Sequence, residues 1–184
     1  MYKLSKVARQ AGTLVMLLLA STGAVPQQSG TRYTVEIVVF RTSSQSGALP
    51  GGAPGAAGSE DDVEPTAVAT RKLSGAASRL RNSSGLRVLA HTAWTQAPIS
   101  CANADCRALS RGVSAARLDL ARAGISGKII LKRGQNLNLG IDLTVDDGGR
   151  RYRISEMRQK IKTDDAQYFD HPAIGVLAVV TSGG

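Results

Sequence analysis

Residues 167–180 read Q-Y-F-D-H-P-A-I-G-V-L-A-V-V, a turn followed by an apolar tail of Ile174, Val176, Leu177, Val179 and Val180. So many apolar and β-branched residues in so short a run predict a strand, and such a strand must be covered by something earlier in the chain. The turn in front of it is therefore anchored on the core. Pro172 keeps His171 out of the helical region, so the chain there is extended or turning. Asp170 is placed to accept a hydrogen bond from a backbone amide of that turn. Asp170, His171 and Pro172 thus read as a structural turn in preference to an Asp/His catalytic pair.

Working outward, Arg32 to Phe40 is a second apolar strand. Tyr33, Val35, Ile37 and Val39 share one face; Thr34, Glu36, Val38 and Phe40 share the other. With Glu36 its sole charge past Arg32, the strand is central or well covered. Glu36 is expected at a strand end or rim that reaches solvent, with a ligand-facing position as the alternative. Leu73, Ala76, Ala77 and Leu80 recur at helical spacing and predict a helix from about Thr66 or Ala67 to Arg81, its apolar stripe facing a sheet. Leu86 to Gln96 is the next strand, with Trp94 either a hydrophobic anchor or a ring that stacks on a sugar.

Leu137, Leu139, Ile141, Leu143 and Val145 alternate without a fault, so this strand has one buried face. It pairs with Ile125–Lys132 through the turn at Arg133–Asn136. Asp146-Asp147-Gly148-Gly149 makes a second hairpin with the return strand Arg151–Ile161. Met157 and Ile161 fall out of register with Tyr152 and Ile154, and a bulge between Ile154 and Met157 is expected to reconcile them. Residues 108–122 fit a helix or a strand. The sum is an α+β domain with a mostly antiparallel sheet of five or six strands, ferredoxin-like or partly rolled, packed by one main helix. The crossover through the helix admits a parallel pairing of 32–40 with 86–96.

Lys3, Lys6 and Arg9 precede an apolar run from Leu14 to Ala20, and Thr22 and Ala24 offer a cleavage position. That is the layout of a secretory signal peptide over 1–24. The run is too short to span a bilayer, and no later stretch is long and apolar enough, so no stable transmembrane span is expected after processing. Residues 25–184 then form a single exported domain. It carries a Ser-, Gly-, Ala- and Pro-rich insertion at about 42–65 that has no period and reads as disordered. Losing the three basic residues of the leader lowers the formal charge from +9 to +6. An exported basic protein meets anionic envelope polymers rather than nucleic acid.

Cys101 and Cys106 are the two cysteines. In an oxidising compartment they are expected to close a small local loop, worth about 2 kcal/mol before strain. They are not spaced as C-x-x-C, and two histidines in the whole chain exclude a multi-histidine metal site. No cofactor motif, no nucleophile elbow and no phosphate loop is present, so no enzyme is expected. The basic side chains of the hairpin region are the better candidates for ligand binding. Lys128, Lys132, Arg151, Arg153, Arg158 and Lys160, with Trp94 beside them, are suited to a carboxylate-bearing glycan or peptide stem, for which Arg has the better geometry. The alternative is that they form the wet face of a hairpin.

Tyr168-Phe169-Asp170-His171-Pro172 followed by Gly175-Val176-Leu177 resembles the C-terminal signature of the CsiV family, periplasmic peptidoglycan-binding proteins of cell-shape integrity. V-E-I-V-V-F-R at 35–41 resembles the family's opening strand, and R-V-L-A-H-T-A-W-T-Q at 87–96 its second block. Gly127, Leu137 and Leu143 also agree, and the basic strand is present as Arg158-Gln-Lys160-Ile-Lys162. Gln135, Asn136 and Asn138 stand where the family has Arg, Tyr and His. The resemblance implies a non-catalytic periplasmic protein that binds peptidoglycan and supports a cell-wall synthase or its activator. An envelope module that binds another protein or the membrane surface, without glycan specificity, is the alternative.

Overall fold

The computed structural model describes residues 31–42, 66–68, 72–101, 116–120 and 123–183; the expected leader, the body of the insertion and Cys106 lie outside them. In chain order the elements are β1 (Tyr33–Thr42), β2 (Thr66–Ala67), α1 (Ser74–Asn82), β3 (Leu86–Gln96), β4 (Ile99–Ser100) and β5 (Ala116–Leu120). They continue with β6 (Ile125–Arg133), β7 (Leu137–Asp147), β8 (Arg150–Ile161), β9 (Gln167–His171) and β10 (Ile174–Ser182).

The α+β class and the one main helix are as expected, but the strands form two sheets rather than one. The first has the order β2-β3-β1-β10-β9, antiparallel throughout. The second has the order β4-β6-β7-β8, with β5 also pairing β6. Val35, Ile37 and Val39 of β1 meet Ile129, Leu139, Ile141 and Leu143 of the second sheet in the main core. The opposite face of β1 and β10 offers Val38 and Val179 to Leu73 and Ala77 of the α1 region. The layers are therefore helix, sheet, sheet. A middle sheet covered on both sides explains why β1 and β10 are apolar on both faces, whereas β7 alternates because the second sheet turns its other face outward.

β1 and β3 do not form the parallel pair of a ferredoxin-like arrangement. β1 and β3 are antiparallel neighbours, with Thr42 opposite Leu86 and Tyr33 opposite Gln96. Thr66 pairs with Thr95, at the far end of the sheet from Thr42, so the chain has returned the length of β1 before α1 begins. Thr66–Ala67, expected to start the helix, is a strand instead. Leu118 and Leu120 belong to a strand as well, β5.

The helix starts where a buried acid can hold it. Leu73, its N-cap, offers no side-chain hydrogen bond, and the first turn has no acidic residue. Glu36 of β1 supplies what is missing: its carboxylate accepts the amides of Lys72 and Leu73, the latter at 2.9 Å. The same carboxylate lies 2.6 Å from His91 Nε2 on β3. Glu36 is 1% exposed, so the rim position expected for it is corrected. A carboxylate at the positive end of a helix, aimed at unpaired amides, is satisfied without solvent.

Both hairpins form as expected. Gly148 and Gly149 have φ of 62° and 78°, the two left-handed positions that a two-residue turn between twisted strands needs. The bulge is displaced. β8 pairs with β7 without a slip from Val145/Tyr152 to Leu139/Arg158, then shifts so that Leu137 meets Ile161. Lys160, with φ of 55°, sits in the irregular stretch. Consequently Glu156 and Arg158 share the inner side with Ile141 and Leu139, and Met157 faces outward opposite Gly140. Charges pointing inward on an edge strand discourage the addition of another strand.

The β9–β10 turn is held by a different residue from the one expected. Ala173 N donates to His171 Nδ1 at 3.2 Å, and Thr42 reaches across from β1, its amide to Ala173 O and its hydroxyl to Pro172 O, each at 3.1 Å. Asp170 instead accepts the Tyr168 hydroxyl at 2.8 Å. The expected Cys101–Cys106 loop lies partly outside the described residues, which include Cys101 just after β4 but not Cys106.

Candidate functional site

The second sheet turns one face away from the core, and strand parity decides what that face carries. Lys128 on β6, Asp142 on β7 and Arg153 on β8 all point outward, as do Asp146 and its register partner Arg151. Arg153 grips Asp142 with a fork of two bonds, Nε at 2.9 Å and Nη2 at 3.0 Å. That hydrogen bond, and then the charge behind it, raises the Arg153 pKa. Lys128 stands directly opposite Asp142 in the register. Arg151 reaches Asp146 at 3.5 Å, both side chains well exposed. The result is a row in which cations alternate with carboxylates on a rigid hairpin, with Arg153 fixed and Arg151 loosely held.

Other candidates from the sequence lie elsewhere. Arg158 is on the inner side, where its guanidinium donates to Tyr168 O at 2.8 and 3.2 Å, pairs with Glu156 at 3.0 Å and covers the Phe169 ring at 5.2 Å. It is the joint between β8 and β9. Lys160 is exposed at the irregular stretch, its amide held by Asn138 Oδ1 at 3.1 Å. Trp94 and Lys132 are each only 2% exposed. The Trp94 indole lies in the main core and donates to Gln96 Oε1 at 2.7 Å, so its ring presents no face to a sugar. Asp170 and His171 end β9, paired with Gly175 and Ile174 of β10, and Pro172 begins the turn between the two strands.

Two features escaped the sequence reading. On β9, Tyr168 is the one exposed large hydrophobic residue among the described residues, at 44%. It stacks on Phe40 with ring centroids 6.3 Å apart and 12° between planes. Partial burial and the Asp170 carboxylate push its pKa up to about 12. The other is a cleft of about 400 Å³ lined by Arg87, Val88, Leu89, Ala123, Gly124, Asp146 and Asp147. It lies where the β7–β8 turn meets the start of β3. Asp147 is tied there to Arg41 at 2.6 Å, with Arg87 at 3.7 Å. Asp146 and Asp147 read as turn formers; the signal available was that Arg41 and Arg87, register partners at the ends of β1 and β3, need an acid.

A protein-family model described as Peptidoglycan-binding protein, CsiV, matches residues 42–182. The chain belongs to the CsiV family. The match runs from the last residue of β1 to the end of β10, so it takes in the outward face of the second sheet, the cleft and Tyr168 alike. No curated protein and no solved structure matches. The CsiV description is one of binding, not catalysis. Among the described residues no group of three or more His, Cys, Asp or Glu side chains is arranged to hold a metal. Among them, too, no helix is long and apolar enough to cross a membrane.

Proposed function

We propose that this CsiV chain binds peptidoglycan in the periplasm, without turning it over, through the outward face of its second sheet. The observation that carries the reading is the row of Lys128 on β6 and Arg153 and Arg151 on β8, flanking Asp142 and Asp146 of the β7 strand between them. Peptidoglycan stems carry carboxylates, and a fixed array of cations gives them charge-assisted hydrogen bonds where a mobile one gives only attraction. Trp94 and Lys132, being buried, take no part. The leader at 1–24 is removed on export, residues 25–184 act as one domain, and the bound protein supports a cell-wall synthase or its activator.

The test is co-sedimentation of the mature protein with purified insoluble peptidoglycan over a range of salt. Reversing Lys128 and Arg151 to Glu together is expected to release the protein at salt where the parent stays bound. Reversing Arg79 and Arg81, on the helix layer, is expected to change little. Equal loss from both pairs, or parental binding that vanishes in modest salt, would leave only non-specific attraction.

A further inference from the structure

Where the outward row ends, its last acid also lines the cleft. Asp146 shares the face with Arg151 and contributes to the cleft wall, and Asp147, the next residue, closes that wall from within. The charges here fall into two classes. Arg41 and Asp147 are tightly joined at 2.6 Å, and the Asp147 side chain is only 11% exposed. Arg41 thus fixes Asp147 in the wall from behind. Arg87 touches Asp147 at 3.7 Å, beyond hydrogen-bond reach, with its side chain 69% exposed. Asp146 has Arg151 at 3.5 Å and a side chain 48% exposed. The opening therefore offers one cation and one anion, each weakly held and each from a different sheet.

We infer that this cleft is a subsite for the zwitterionic end of a short peptide, a group bearing a free carboxylate and a free ammonium. Arg87 takes the carboxylate and Asp146 the ammonium. The inference rests on the peptidoglycan reading, because a peptide stem with a diamino acid carries both groups. The size agrees: clefts that enclose small ligands run from about 300 to 1,000 Å³. One wall of the cleft is fixed backbone: Asp146 N donates to Gly124 O at 2.7 Å, and the two segments lie so close that a side chain at Gly124 would meet Asp146 O at 2.1 Å. A simple anion is a poorer occupant, since Asp146 and Asp147 repel it. A neutral sugar leaves both charges unanswered.

The experiment is calorimetric and NMR titration of the mature protein with the free stem tripeptide L-alanyl-γ-D-glutamyl-diaminopimelate. Its fully N-acetylated form and N,N′-diacetylchitobiose serve as comparison probes. The tripeptide is expected to bind and to shift the amides of residues 87–89, 123–124 and 146–147. Acetylation, Arg87→Gln and Asp146→Asn are each expected to weaken it about tenfold or more, the loss of one charge-assisted contact. Acetylation is expected to cost little further in Asp146→Asn, because the two changes remove the same contact. Absence of tripeptide binding, equal binding of the acetylated form, or shifts confined to the outward face would overturn the inference. If co-sedimentation with intact peptidoglycan survives in those cases and still depends on Lys128 and Arg151, the proposed function stands and the subsite alone falls. The acetylated probe needs no variant, so a misfolded Arg87→Gln or Asp146→Asn protein leaves the test decisive.

Discussion

Glu36 Oε1 and His91 Nε2 lie 2.6 Å apart in the layer between the first sheet and the helix, the His91 side chain 6% and the Glu36 side chain 2% exposed. The other Glu36 oxygen reaches the start of α1, so one carboxylate ties together β1, β3 and the helix. Replacing Glu36 with Ala strands two amide donors and takes the carboxylate away from the His91 imidazole. Removal of one member of such a buried cluster costs about 3–5 kcal/mol. Urea unfolding of Glu36→Ala is expected to show a midpoint lowered to match. A loss under 1 kcal/mol would mean the helix finds another anchor.

Gly175 sits under the Phe40 ring, whose Cζ lies 2.3 Å from where a β-carbon would be. Gly175→Ala is expected to push Phe40 off its place and disturb its stacking on Tyr168. The cost is about 1–3 kcal/mol, as for other overpacking. Shortening the neighbour in Phe40→Leu/Gly175→Ala should recover part of that loss, which a double-mutant cycle by urea unfolding measures.

Tyr168 has its phenol raised to about 12 by partial burial and by Asp170, against an ordinary value near 10. The folded state thus holds its proton more tightly than the unfolded chain. The stability from this group is fully present below about pH 10 and is lost as pH rises towards 12. Ultraviolet titration is expected to place its ionisation near the upper end of that range. Asp170→Asn should move it down without restoring it fully, because burial remains.

Arg153 and Asp142 are joined at 2.9 and 3.0 Å on a partly exposed face. Arg153→Met is expected to cost about 1 kcal/mol or less in chemical unfolding, the usual worth of such pairs. Its effect on peptidoglycan co-sedimentation is expected to be the larger one. Arg153→Lys keeps the charge but loses the fork, so binding between that of the parent and Arg153→Met is expected.

Much of this fold was legible because burial leaves a period behind. The unbroken alternation of β7 and the two-sided apolar run of β1 each stated how many layers touch them; taken together they call for two sheets and a helix. A single sheet was expected because nothing local says which strands a hairpin joins. Glu36 was misplaced for a similar reason: an acid in an apolar strand gives no sign of a helix start 36 residues later. The outward row was half legible. Lys128, Arg151 and Arg153 follow from parity alone. Placing the bulge before Met157 put Arg158 outside, whereas the slip after Arg158 leaves it inside. The burial of Trp94 and Lys132 was not legible, because parity says which side a residue faces, not what lies over it.

The strand that β1 needs on one flank comes far later in the chain. Residues 33–42 lie beside residues 174–182, while β6, β7 and β8 are joined in sequence by short turns. The three-strand ribbon can assemble from neighbours along the chain, but the first sheet waits for a partner more than a hundred residues away. Pairings so distant form slowly, since a long loop must close before any contact rewards it. A chain truncated before Ile174 would leave β1 with one bare flank and the main core half lined, a form suited to capture by chaperones or proteases rather than to work.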